Sequence, residues 1–529
     1  MTEEEKPVAA GHDRFWLYVL VWCAVLGWLA VAAPSPEFFL ISSDGGHQLT
    51  GGTQLLTLGE HPYLDYFETY GPLTFYASAL AQWLTGIRPG GEIALNILGW
   101  ALGYLLLFRL LLLIFNRVGP SLAVLALALL LLPQFYKYYC VLLPFLSLTA
   151  AQLYLARPGR VALAGLAATV AAAWLFRHDF GVYNLLMALT AVLSDPAKSW
   201  RSRGRAGLGL IGLSALFCLP WLLFLLAHQA VRRYFAMIIF ASTAMSRGLM
   251  LPHPLLNWQD PWLSCCYLAF FLLPVGALGL LWRHRREYPS TWLRLQLAGV
   301  VLALASLVQS SHRADFYHLL EGIPPDFLCL ATIGQLLLRP RPQGADGLSC
   351  CRQWRGEATA WLTLALLVLA WQSAPYPLLA SHWPPQLVRK ASYYTLTRRA
   401  YIDRLVREDP RFWPARLVQV IRDRLTSPGE RIAIYPFFMK FNYFAERPFA
   451  AGLMLLAPGY FDSEGYLKEA ITKLRRQKVR FVLWDEAFRF DGLPARNPVR
   501  SSALLHAAVA HDYDNIGQLY GFTVYRRKE

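Results

Sequence analysis

Long apolar runs set the terms for this chain, because a transmembrane helix needs about 20 mostly apolar residues and about eleven runs approach or reach that length. The first, 15–33, is stopped by Pro34 and Pro36. The others lie at 93–115, 121–135, 141–156, 161–176, 182–193, 208–227, 262–282, 295–308, 324–338 and 358–375. Composition agrees: 56% of the 529 residues are hydrophobic and 16% charged, whereas a soluble chain spends about a quarter of its residues on charge. The expected fold class is a polytopic α-helical membrane protein. The opening MTEEEKPVAAGHDR is acidic, and no small-residue cleavage site follows the first run, which therefore reads as a retained span.

The formal net charge of +16 could point to nucleic acid. Polytopic proteins, however, collect Lys and Arg in their cytoplasmic loops, and no basic stripe with interleaved aromatics is present, so nucleic acid is not an expected partner. With the N-terminus in the cytoplasm, the predicted inner loops hold Arg117, RPGR (157–160), KSWRSRGR (198–205), RHRRE (283–287) and the basic stretch 339–355. Every one is basic. A membrane crossing at 72–85 would invert them all, so this aromatic amphipathic run is placed as an interfacial helix within a first external loop of about residues 35–91.

The predicted outer segments differ in kind. QFYKYY (134–139), RHDFG (177–181), 228–261 and the stretch ending at Gly322 carry Lys137, Arg177, His178, Asp179, His312, Arg313, Asp315 and His318 at the ends of apolar helices. Ionisable groups there are costly unless they pair or face a wet cavity, and they mark a site by default. Snorkelling helix ends explain any one of these loops, but less readily three that mix both signs with histidine.

Asp44 is the leading carboxylate, followed by two glycines that leave room for a substrate. Asp65 and Glu68 are three apart, so on a helical turn they would share a face and could hold sugar hydroxyls or a divalent cation, or cap the helix that begins near Pro72. Lys137, Arg177 and Arg313 are the candidates for a phosphate, since arginine binds it through a bidentate fork and lysine as a point charge. His312 and His318 could donate to the same oxygens, and Asp179 and Asp315 could orient the arginines two residues before them. His47, Tyr63, Tyr70 and His178 complete the set as sugar- or acceptor-orienting groups.

From about residue 381 the chain turns charged and mixed. Helical patterns at 394–406, 413–425 and 465–476, with short apolar strands near 431, 479 and 521, predict a small extracytoplasmic α/β domain over 381–529, following a membrane domain over 1–380. None of the eight cysteines falls after Cys351, so that domain has no disulfide. No Cys/His spacing matches a zinc site.

Asp44-Gly45, Gly59, Pro62-Tyr63, Asp65, Glu68 and Gly71-Pro72-Leu73 together resemble the first external loop of GT-C glycosyltransferases, in particular the bacterial branch related to protein O-mannosyltransferases and aminoarabinose transferases. PLTFYASALAQWLTG (72–86) resembles that fold's juxtamembrane helix, and RHDFG and HRADFYHL resemble its outer-loop motifs. The resemblance covers roughly residues 1–330, with a looser match for the C-terminal domain. It implies transfer of a sugar from a polyprenyl-phosphate donor to a cell-envelope acceptor, by inverting single displacement, on the outer face of a bacterial inner membrane. Asp44 would be the general base or the group that orients the acceptor. The chain departs from the pattern twice. Tyr70-Gly71 stands where many relatives have Lys-Pro, which removes a cation, and Gly45 stands where many have Glu, which removes a second acid. No cofactor is fixed by these residues, and a divalent cation stays open. The competing reading is a transporter or flippase of a lipid-linked saccharide, which calls for mid-span charges and an internal repeat with broken helices. Neither is visible.

Overall fold

The computed structural model describes residues 11–42, 45–240, 242–243, 248, 250–258, 260–338, 383–460 and 462–529, and the side chains of all of these but 11–14, 312, 338, 383 and 384. Helix α1 (Gly11–Ala32) leads into three helices of the first loop, α2 (Pro36–Ile41), α3 (Gly46–Leu58) and α4 (Pro72–Thr85). Next come α5 (Pro89–Phe115), α6 (Val118–Leu130), α7 (Tyr139–Ala156), α8 (Arg160–Phe176), α9 (His178–Leu193), α10 (Trp200–Ala227) and the short α11 (Val231–Phe240). They are followed by α12 (Pro261–Arg283), α13 (Ser290–His312), the short α14 (Phe316–Gly322) and α15 (Asp326–Leu338). By length and composition α1, α5, α7, α10, α12 and α13 can each cross a membrane, and α6, α8, α9 and α15 are shorter apolar helices. The run at 358–375 lies outside the described residues.

Several helices begin earlier than the apolar runs do. The 182–193 run belongs to a helix from His178, 208–227 to one from Trp200, and 295–308 to one from Ser290. Hydropathy falls at a charged residue, but the backbone ladder continues wherever that charge finds a partner. Arg294 is the plainest case. It is buried, ion-pairs with Asp195 at 3.3 Å and donates to the Ala191 carbonyl at 2.7 Å.

Helix α4 has the bounds expected for the interfacial run, and its 14 residues fall short of the about 20 that a crossing needs. The buried face mixes Phe75 and Ala79 with polar groups: Ser78 and Gln82 are sealed, with Gln82 donating to the Leu49 carbonyl at 2.9 Å and Thr53 donating to Gln82. The exposed face carries Leu80, Trp83 and Leu84. A helix with polar groups satisfied inward and apolar groups outward suits the headgroup boundary.

The C-terminal part carries helices α16 (Trp383–Tyr394), α17 (Arg398–Glu408), α18 (Trp413–Val420), α19 (Met439–Ala445) and α20 (Glu464–Arg476) around one sheet. Strands β1 (Ile432–Tyr435), β2 (Phe481–Trp484), β3 (Tyr513–Leu519) and β4 (Phe522–Arg527) lie in the order β1-β2-β4-β3. The β1-β2 pair is parallel and fully buried, while β4 runs antiparallel to both its neighbours. The helix expected at 394–406 is α17, which starts at Arg398, where the Thr397 hydroxyl accepts from the Ala400 N–H, and α16 precedes it. This sheet region sits on the first loop. Phe67 N–H donates to the Gly452 carbonyl at 2.8 Å, Thr50 to the Met439 carbonyl at 3.0 Å, Lys473 to the Asp65 carbonyl at 2.8 Å, and Arg431 pairs with Glu60.

Candidate active site

Where α8 gives way to α9 the chain allows itself one non-helical residue, and that residue is Arg177, extended at φ −159°. The guanidinium is held between the rings of Phe180 and Tyr70, at 5.1 and 6.0 Å. Its Nε donates to Asp179 at 2.9 Å and its Nη1 to Glu321 at 3.2 Å. Lys137, from the turn between α6 and α7, is buried and ion-pairs with the other oxygen of Glu321. Glu321 itself is fully buried in the last turn of α14. Burial alone would raise its carboxyl, but the Lys137 ammonium, then His318 and Arg177, hold it down at about 2. The carboxylates keep two cations stable in a desolvated place, and Arg177 still has donors to offer. No described residue hydrogen-bonds its Nη2, and that atom is not sealed off.

The first loop closes over this cluster from the other side. Gly71 donates its N–H to the Phe176 carbonyl at 3.0 Å, and a Cβ at that position would lie 2.1 Å from the Leu175 carbonyl oxygen. A proline there would lose that donor and add the clashing Cβ. Tyr70 takes the place of the lost cation and lays its ring against Arg177. Glu68, also fully buried, pairs with His47 Nδ1 at 3.0 Å from the first turn of α3.

Asp44 lies outside the described residues, but both of its flanks are gripped. Gly45 is left-handed at φ +81°, and a Cβ there would meet the Tyr136 ring at 2.9–3.4 Å. On the other flank the buried Lys440 donates to the Phe39 carbonyl and the Ser42 hydroxyl, each at 2.8 Å.

The remaining candidates are placed as follows. Asp65 and Glu68 share no helical face: Tyr63 at φ +69° and a bridge between Pro62 and Tyr66 make this a tight turn. Asp65 is left exposed, accepting the His61 N–H at 2.8 Å, while Glu68 points inward, so the two do not form a joint cation site. Tyr63 is buried and donates to the Tyr70 carbonyl. His178 uses both ring nitrogens, on the Thr69 carbonyl at 3.2 Å and the Tyr234 hydroxyl at 2.7 Å, and ties the first loop to α11. His178 and Asp179 stand in the first turn of α9 and not in a loop. Asp315 caps α14 by accepting the His318 N–H at 2.9 Å, and burial notwithstanding, His318 and Arg313 hold it at about 2. Arg313 donates to Asp315 at 3.1 Å and to Asp491, which also pairs with Arg496. No described contact joins Arg313 to the Lys137, Arg177 and Glu321 cluster. The side chain of His312 is outside the described ones. Glu321 is a member of the site that the sequence motifs do not single out; the available signal is an acid at the buried end of a short helix in an outer motif. Among the described residues no group of three His, Cys, Asp or Glu side chains is arranged to hold a metal ion.

No protein-family model matches the sequence, and no curated protein sequence does. Among solved structures, ArnT from Cupriavidus metallidurans is similar both in its apo state and bound to undecaprenyl phosphate, each with TM-score 0.51 and 14% identity over 98% of both chains. The chain has the GT-C fold. A weaker likeness, TM-score 0.40 at 12% identity, links 88% of this chain to 68% of the Archaeoglobus fulgidus oligosaccharyltransferase solved in complex with Zn and sulfate. In this chain the first loop and the ends of α8 and α14 meet around one cluster of charges, and the C-terminal sheet region packs on that loop.

Proposed function

We propose that this protein is an inverting glycosyltransferase that moves a sugar from a polyprenyl-phosphate donor to a lipid, polysaccharide or protein acceptor of the cell envelope. It works on the outer face of a bacterial inner membrane, with the N-terminus cytoplasmic and residues 381–529 extracytoplasmic. The observation that carries this reading is the Arg177 guanidinium, fixed by Asp179 and Glu321 with one donor edge open, in a fold shared with a protein solved bound to undecaprenyl phosphate. Such a fork is suited to a phosphate oxygen. The acceptor hydroxyl bonds to the sugar's C1 from the face opposite the phosphate, and the C1–O bond to phosphate breaks with its electron pair on phosphate. Asp44 acts at the acceptor hydroxyl, as base or orienting group.

The test is purified protein in nanodiscs with a panel of radiolabelled polyprenyl-phosphate sugars, scored for turnover with and without EDTA. Turnover of one donor with inversion at C1 is expected, and the EDTA arm decides whether a divalent cation takes part. Absence of both turnover and donor binding in folded protein would favour the flippase reading.

A further inference from the structure

His47 and Glu68 form a pair to which the transfer as proposed assigns no task. Glu68 Oε1 already accepts from the Thr69 N–H at 2.7 Å, the Tyr70 N–H at 3.2 Å and the Tyr460 hydroxyl at 3.2 Å. Its Oε2 faces His47 Nδ1 at 3.0 Å. A carboxylate so occupied accepts from the imidazole, so in the neutral ring the proton sits on Nδ1 and the lone pair on Nε2. No described residue hydrogen-bonds Nε2, and Nε2 is not among the atoms sealed from the surface. The ring is walled by Tyr70, Phe437 and Tyr460 at 6.0, 6.4 and 6.1 Å. Tyr70 is also the ring against which Arg177 lies. The imidazole and the guanidinium therefore both lie against the Tyr70 ring. Among the described residues, the titratable groups facing the imidazole are Glu68 on the first loop, Tyr70 beside it, and Tyr460 from the C-terminal region.

We propose that His47, oriented by Glu68, is the base that takes the acceptor's proton. This deepens the transfer reading and rests on it. As the acceptor oxygen bonds to C1 and the phosphate leaves with the C1–O electron pair, the hydroxyl proton passes to Nε2. Glu68 balances the imidazolium, and water takes the proton before the next turnover. An oriented imidazole with a carboxylate behind it is the arrangement general-base catalysis needs.

The experiment measures kcat and donor KM across pH for wild type, His47→Ala, His47→Gln and Glu68→Gln in nanodiscs, with and without added imidazole. His47→Ala is expected to lower kcat by about 10²- to 10⁴-fold, with donor KM changed by less than about two-fold if Nε2 makes no ground-state contact with the donor. Imidazole should restore its rate in a concentration-dependent way. The acid limb of the wild-type profile should be missing from the residual activity of His47→Gln, the variant that keeps a donor to Glu68 and guards against a folding defect in the alanine form. A wild type that turns over while both His47 variants keep its rate and its acid limb, or an alanine form that folds but is not rescued, overturns this assignment and leaves the transfer reading standing. A wild type that turns over no donor overturns both.

Discussion

Asp44→Asn is expected to lower transfer by about 10²- to 10⁴-fold, the usual worth of a positioned acid or base, while donor binding and membrane insertion persist. The amide keeps the shape and one acceptor oxygen but loses the charge that draws an acceptor hydroxyl toward C1. Lys440 holds Ser42 and Phe39, and Tyr136 packs on the left-handed Gly45. Turnover and donor binding measured on the same nanodisc preparation check this, and an Asp44→Asn enzyme at wild-type rate would remove Asp44 from the chemistry.

Glu321→Leu carries the largest expected effect on stability. It strips the shared counter-charge from Lys137 and, among the described carboxylates, leaves Arg177 with Asp179. Breaking a buried pair by removing one partner costs about 3–5 kcal/mol, because a charge is left desolvated. The Lys137→Leu/Glu321→Leu double variant is expected to recover part of that loss, which thermal unfolding in detergent can read as a double-mutant cycle. The pH dependence follows from the lowered carboxyl. A group held at about 2 when folded and near about 4.3 when unfolded contributes its full stability above the unfolded value and loses it as pH falls toward 2. Below about pH 5 the gap between wild type and Glu321→Leu should therefore narrow as the carboxyl takes up its proton.

Hydropathy and the positive-inside rule carry the membrane helices and α4, because both depend on local composition. β3 escapes for the opposite reason. YDNIGQL is an edge strand with most of its residues exposed, so nothing apolar marks it and only pairing with β4 makes it a strand. The candidate site is legible as a set of charged helix ends and not as an arrangement. Lys137 and Arg177 stand 184 and 144 residues from Glu321, and no local pattern announces that one carboxylate gathers both. The same blindness groups Arg313 with the phosphate candidates, although its guanidinium turns to Asp491 in the C-terminal region. Spacing alone also puts Asp65 and Glu68 on one face, where a left-handed Tyr63 sends them apart.

The central claim is that the open edge of Arg177 receives the donor phosphate, and equilibrium binding of undecaprenyl phosphate to the purified protein in nanodiscs tests it most directly. Wild type should bind saturably. A charge-assisted hydrogen bond is worth about 1.5–3 kcal/mol, so Arg177→Met should weaken binding by about 10- to 100-fold. Arg480→Met, the same change of charge at a largely exposed residue paired with Glu430, should leave it as in wild type. Equal affinity in wild type and Arg177→Met would contradict the account.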